Sequence, residues 1–105
     1  MTKTSLIIPA WNAELTIEDC ILSVIKANLS PNEIIVVDDV STDNTVNIIE
    51  SLAKIYSNIK LLKLVKNSGP AAARDYGAKA SSGDVIFFTD SDTLILENTF
   101  VNCLN

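Results

Sequence analysis

Two arrangements of apolar residues alternate along the chain. The first is a short unbroken run, found in Ser5–Pro9, Glu33–Val37, Ile59–Val65 and Val85–Phe88. Runs of this length, rich in β-branched residues, are the pattern of strands covered on both faces of a sheet. Pro9 closes the first run. The third carries Lys60 and Lys63, which marks a more exposed face or a sheet edge.

The second arrangement has the period of a helix. Leu15, Ile17, Cys20, Ile21, Val24 and Ile25 form the buried face of a helix that Asn12 caps and Glu14 opens, and that reaches about Asn28. Ser41-Thr42-Asp43-Asn44 caps a second helix, about Asp43 to Ser57, with Val46, Ile49, Leu52, Ala53 and Tyr56 inward. A third runs from Ala71 to about Ser81, with Pro70 preset for its first turn and three successive alanines allowing close approach to a sheet. Gly83 stops it, and Glu97–Leu104 begins another helix. The order β-α-β-α-β-α-β, with connections long enough for right-handed crossovers, predicts a mainly parallel sheet in a three-layer α/β/α, Rossmann-like half.

Composition narrows the function. At 105 residues the chain is a single domain, and its 48% apolar content supports a core and excludes disorder. A net charge of −5 without a Lys/Arg cluster excludes a nucleic-acid phosphate track. The absence of histidine excludes His-based acid/base chemistry and His-ligated zinc. Cys20 and Cys103 lack metal-ligand spacing, and Cys20 lies on a helix's apolar face as a reduced core thiol. Met1-Thr2-Lys3-Thr4 leads straight into a strand without a signal-peptide plan, and no apolar run nears the roughly 20 residues of a membrane span. The expected location is the cytoplasm, at most at the cytoplasmic face of the membrane.

The candidate chemistry lies after the strands. Asp38-Asp39 and Asp90-Ser91-Asp92 are acids delivered at strand ends, where open α/β sheets bind ligands. Carboxylates there are hard oxygen donors suited to Mg²⁺ or Mn²⁺ carrying a diphosphate. Asp38 or Asp39 can accept from a base N–H or a ribose hydroxyl. Lys66 and Arg74 can offset phosphate charge, and the helix opened by Gly69-Pro70 offers its N-terminal dipoles. Plainer roles stand beside these: a solvated acidic turn, Arg74 paired with a carboxylate, Asp38 bonding backbone amides, and Asp43 and Asn44 serving the first turn of their helix.

Five stretches together form a more specific pattern: Ile7–Glu14, Glu33–Asp39, Ser41–Thr45, Asn67–Arg74 and Asp84–Asp92. In this order and spacing the chain resembles the N-terminal half of a family 2 inverting glycosyltransferase of the GT-A fold. The resemblance implies that Pro9, Ala10 and Trp11 line a uridine pocket, with Asn12 alongside and Glu14 near the ribose. It implies that Asp39 reads the base N–H and that Lys66, Asn67, Gly69 and Arg74 border base and diphosphate. It makes Asp90-Ser91-Asp92 the family's Asp-X-Asp motif, with Asp90 near the ribose and Asp92, joined by Asp90, on a Mn²⁺ or Mg²⁺ ion. The partners implied are a nucleotide-sugar donor and a saccharide or lipid-linked acceptor in polysaccharide biosynthesis.

Three departures qualify it. Trp11 replaces the family's usual Tyr or Phe. Val40 stands where the family has glycine, and a β-branched residue resists positive φ, so the loop after Asp39 is expected to shift. The family's catalytic base follows well after Asp-X-Asp, whereas this chain ends at Asn105. The expectation is therefore a donor-binding portion, inactive alone, without the acceptor half and its base. A nucleotide-binding fragment without turnover is the alternative. A haloacid dehalogenase-type phosphatase and a receiver domain fit the placement of the acids less well. A half-sheet also leaves an apolar edge open to self-association.

Overall fold

A computed structural model describes residues 2–104; Met1 and Asn105, which bound the sequence reading, lie outside the described residues. The elements are β1 (Thr4–Ala10), α1 (Ile17–Lys26), β2 (Glu33–Asp38), α2 (Thr45–Ile55), β3 (Ile59–Lys63), α3 (Pro70–Ala80), β4 (Val85–Phe88) and α4 (Thr99–Leu104). The four strands form one parallel sheet in the order β3-β2-β1-β4.

Alternation along the strands divides the core between the two faces. Leu6, Ile8, Ile34 and Val36 pack under Ile17, Cys20, Ile21 and Val24 of α1 and Ile49 and Leu52 of α2. Phe100 of α4 joins this face and meets Phe87 edge-on, with ring centroids 5.2 Å apart. Ile7, Ile35 and Val37 face the other way, under Ala73 of α3. This is the three-layer arrangement expected from the element order.

Several local expectations change. The strand β1 runs through Pro9, which pairs in register with Val37. α1 starts at Ile17, not beside Asn12, and Leu15 is 90% exposed. Asn12 instead takes a left-handed conformation (φ 47°) and is held by residues of the β2–α2 loop. β4 is not covered on both faces. It lies at a sheet edge, and α3 sits over β1 and β2, so Ile86 and Phe88 stay partly exposed. The close approach of α3 comes from Ala73 and Gly77, while Ala71 and Ala72 are exposed. A Cβ on Gly77 would lie 2.5 Å from Ile7 Cγ2.

At the opposite, N-terminal ends of the strands, Glu33 is a buried cross-link. Its carboxylate accepts from Ser5 Oγ and Ser82 N, each at 2.6 Å, and meets Lys60 Nζ at 2.8 Å. Burial by itself would raise the Glu33 carboxyl, but Lys60, Ser5 and Ser82 outweigh it and hold it at about 2.

Candidate functional site

The carboxyl ends of β1, β2 and β4 open into a cleft of ≈ 420 Å³. Pro9 and Ala10 from the end of β1 and Trp11, Asn12, Ala13 and Thr16 from the following loop line one side. Asp39, with Pro70 and Ala73 of α3, lines another, and Asp90, Ser91 and Asp92 close it beyond β4. The sequence pattern gives Ala13, Thr16 and Ala73 no site role of their own, and Pro70 only that of opening the third helix. Ala13, Pro70 and Ala73 lie within motif stretches, which is the available signal; Thr16 does not.

The Trp11 loop is fixed by partners thirty residues away. Asn12 N donates to Ser41 Oγ (2.9 Å), and Thr42 N donates to Asn12 Oδ1 (2.8 Å). Ala13 N donates to Thr45 Oγ1 (2.8 Å), and Asp39 N to Ala10 O (2.9 Å). Trp11 is left 56% exposed on this tied backbone, at the cleft. Glu14 lies outside the cleft lining, where its carboxylate accepts Asn44 N at 3.1 Å, at the start of α2. Asp43 accepts the amides of Thr45 and Glu14 and the Thr45 hydroxyl. Burial tends to raise the Asp43 carboxyl, but the Thr45 and Glu14 bonds leave it below its ordinary value. Asp43 and Asn44 are thus residues of the helix start.

The paired acids divide their work. Asp39, 4% exposed, accepts Ser68 N through Oδ1 (2.7 Å) and Gly69 N through Oδ2 (2.8 Å). Asn67 Nδ2 donates to Asp39 O at 3.0 Å, and Gly69 holds φ 91° at the cap of α3. The amides just before α3 therefore already have an anion, Asp39. Asp38 Oδ2 accepts Ser41 N at 3.1 Å, while its buried Oδ1 has no hydrogen-bond partner among the described residues. The expected displacement around Val40 does not occur through avoidance of positive φ: Val40 itself adopts φ 63°.

Lys66, Asn67, Gly69 and Arg74 lie outside the cleft lining. Lys66 is exposed, and its carbonyl accepts Ser68 Oγ at 2.9 Å. Arg74 stands at the rim with Nη2 4.0 Å from Asp90 Oδ1, a loose and largely solvated pair. Asp75 and Lys79 pair on the surface of α3 at 3.0 Å. Under the acidic turn lies the buried Cys20; burial, then the Asp92 and Asp90 charges, push its thiol up to about 11 against a lowering bond from the Thr93 backbone.

The donor set fits a hard divalent cation. Asp90 and Asp92 both line the cleft, and no group of three or more His, Cys, Asp or Glu forms a metal cluster among the described residues. Two carboxylates suit an ion that keeps waters and takes further oxygens from a diphosphate.

A parallel α/β sheet with such a cleft at its carboxyl edge belongs to the class of open α/β folds that bind ligands beyond the strand ends. The sequence profile of Glycosyl transferase family 2 matches residues 5–105, and the chain belongs to that family. An uncharacterized glycosyltransferase of Haemophilus influenzae is 37% identical over 105 residues, covering 100% of this chain and 42% of that protein. The poly(ribitol-phosphate) β-N-acetylglucosaminyltransferase TarS of Staphylococcus aureus is 36% identical over 102 residues, covering 94% of this chain and 18% of its own. The crystal structure of TarS 1–349 in complex with UDP superposes with a TM-score of 0.87 at 35% identity, covering 97% of this chain and 31% of that one. A mannosyltransferase from Pyrobaculum calidifontis, in complex with GDP-Man and Mn²⁺, shares the fold alone: TM-score 0.89 at 24% identity, over 98% of this chain and 31% of that one. The chain thus spans less than half the length of these relatives.

Proposed function

We propose that this chain is the donor-binding portion of an inverting glycosyltransferase that takes a nucleotide diphosphate sugar, of the UDP type, with Mn²⁺ or Mg²⁺. The observation that carries this reading is the meeting of Trp11, Asp39 and Asp90-Ser91-Asp92 around one cleft of ≈ 420 Å³, a volume in the usual range for small-molecule sites. The complex of TarS with UDP supports it, at 35% identity.

Pro9, Ala10 and Trp11 hold the base, the ring by stacking, with Asn12 fixing their backbone. Asp39 accepts the base N–H; each carboxylate oxygen can take a bond beyond the amide it already accepts. Asn67 and Gly69 act through Asp39, and Glu14 acts through the start of α2 rather than on the ribose directly. Lys66 and Arg74 approach the diphosphate from the rim and offset its charge as it leaves. Asp92 and Asp90 hold the divalent cation, which supplies Lewis-acid stabilisation of the diphosphate.

The three carboxylates lining the cleft all have binding roles in this scheme. The base that deprotonates an acceptor hydroxyl of a saccharide or lipid-linked glycan therefore belongs to an acceptor half outside these residues, and the chain alone binds without turnover. We place it in the cytoplasm, at the membrane face where polysaccharide acceptors are assembled; no helix among the described residues is long and apolar enough to cross a membrane. Self-association through the β4 edge belongs to the same reading, since Ile86 and Phe88 are partly exposed there. A concentration-independent monomer in sedimentation would remove that part.

The test is calorimetric titration of UDP with and without Mn²⁺, on the chain and on Asp92→Ala. Metal-dependent binding lost in the variant is expected. Absence of UDP binding by the folded chain under either condition overturns the reading.

A further inference from the structure

The acidic turn beyond β4 is tied down from behind by two residues of α1. The Cys20 thiol donates to Asp90 O (3.5 Å), which also receives Thr93 N from within the turn (3.1 Å). Ser23, three residues further along α1, accepts Ile95 N at 2.9 Å and donates its own proton to Cys20 O at 2.7 Å. The two contacts bracket Asp90–Ile95. Beyond them, Asn28 N donates to Glu97 O at 2.8 Å, so the chain after β4 is laid along α1.

The acids themselves have little side-chain support. Asp90 has only the loose 4.0 Å approach of Arg74, and Asp92 takes part in no ion pair among the described residues. Their placement is therefore set through the backbone of the turn. A serine on the packed side of a helix is not explained by helix formation, because a hydroxyl bonded to its own helix carbonyl slightly weakens the helix. The hydroxyl instead accepts the Ile95 amide, which has no other hydrogen-bond partner among the described residues.

We propose that Ser23, with Cys20 before it, is a positioning residue that sets the Asp90-Ser91-Asp92 turn for a divalent cation and the diphosphate oxygens it carries. This rests on the donor-site reading. Ser23 touches neither ligand; it acts on Asp90 and Asp92 through Cys20 O, Asp90 O and Ile95 N.

The experiment pairs amide hydrogen exchange at Ile95 with titration of UDP, in Mn²⁺ and in chelator, for the wild-type chain, Ser23→Ala and Ser23→Thr. The expected result is a protected Ile95 amide in the wild type that exchanges faster in S23A. The Mn²⁺-dependent gain in UDP affinity should fall by about tenfold or more, as for other groups that orient metal ligands. Affinity in chelator should be unchanged, and S23T, which keeps the hydroxyl, should restore the gain. An unprotected Ile95 amide in the wild type overturns the proposal whatever binds. So does an undiminished Mn²⁺ gain in S23A, or an equal fall with and without metal, which would mark the hydroxyl as merely structural. A wild-type chain with a protected Ile95 amide and no UDP binding overturns the donor-site reading, and this proposal with it.

Discussion

The Asp39 carboxylate accepts the Gly69 amide at 2.8 Å, so the acid at the end of β2 also anchors the start of α3. Its second oxygen holds Ser68 N at 2.7 Å. Asp39→Ala leaves both amides without their acceptor and should cost about 1–3 kcal/mol of stability. Urea unfolding measures it, and an unchanged midpoint would show that water replaces the carboxylate freely.

Glu33 gives the fold an acid-sensitive cross-link. Its carboxyl is held at about 2 against an ordinary 4.5, so the folded state binds the proton less readily than the unfolded one. Its contribution is complete above about pH 4.5 and is lost as pH falls toward 2. The shift corresponds to on the order of 3 kcal/mol. Unfolding free energy measured from pH 5 to pH 2 should fall in the wild type and fall less steeply in Glu33→Gln; parallel curves would refute the assignment.

Gly77 is a point of close approach between α3 and the sheet. Alanine there would place its Cβ 2.5 Å from Ile7 Cγ2 and 3.0 Å from Val37 Cγ2, both on buried β-branched side chains. The gain in helix propensity is outweighed by overpacking, and Gly77→Ala should lower stability by about 1–3 kcal/mol. A raised melting temperature would mean that α3 can lift off the sheet at little cost.

Val40 holds φ 63° although β-branched. The left-handed region costs an L-residue roughly 1–2 kcal/mol, and glycine relieves it while adding about 0.4–1 kcal/mol of unfolded-chain entropy. Val40→Gly should therefore be stabilising by up to about 1 kcal/mol. A downward shift of the denaturation midpoint would show that packing of the valine side chain exceeds the strain.

The strands were readable because each is a compact apolar run. Pro70 opens α3 and Asp43 accepts the first amide of α2, each where its local chemistry places it, whereas Ser41 and Thr42 of the expected capping cluster bond Asn12 instead. The departures from the local pattern share a physical cause, contacts with distant segments. Asn12 was expected to cap α1, yet its amide and side chain bond Ser41 and Thr42, partners far along the chain. Leu15, apolar and in helical register, falls in the loop so created and stays 90% exposed. β4 has the composition of a central strand, but its place at the edge depends on which strands pair, and that is not written within its own residues.

The order of elements, the parallel sheet and the delivery of acids to the ends of β2 and β4 are legible in the chain's own pattern. These follow from hydrophobic period and local turn chemistry, which act over a few residues. Which acids line the cleft, and what holds them, depends on contacts between distant parts of the chain. Asp39 became an anchor for α3 while Asp38 bonds Ser41 N, and Cys20 and Ser23 came to lie behind the acidic turn. Those relations join residues separated by long stretches of chain, and they exist only once the two helical layers have closed on the sheet.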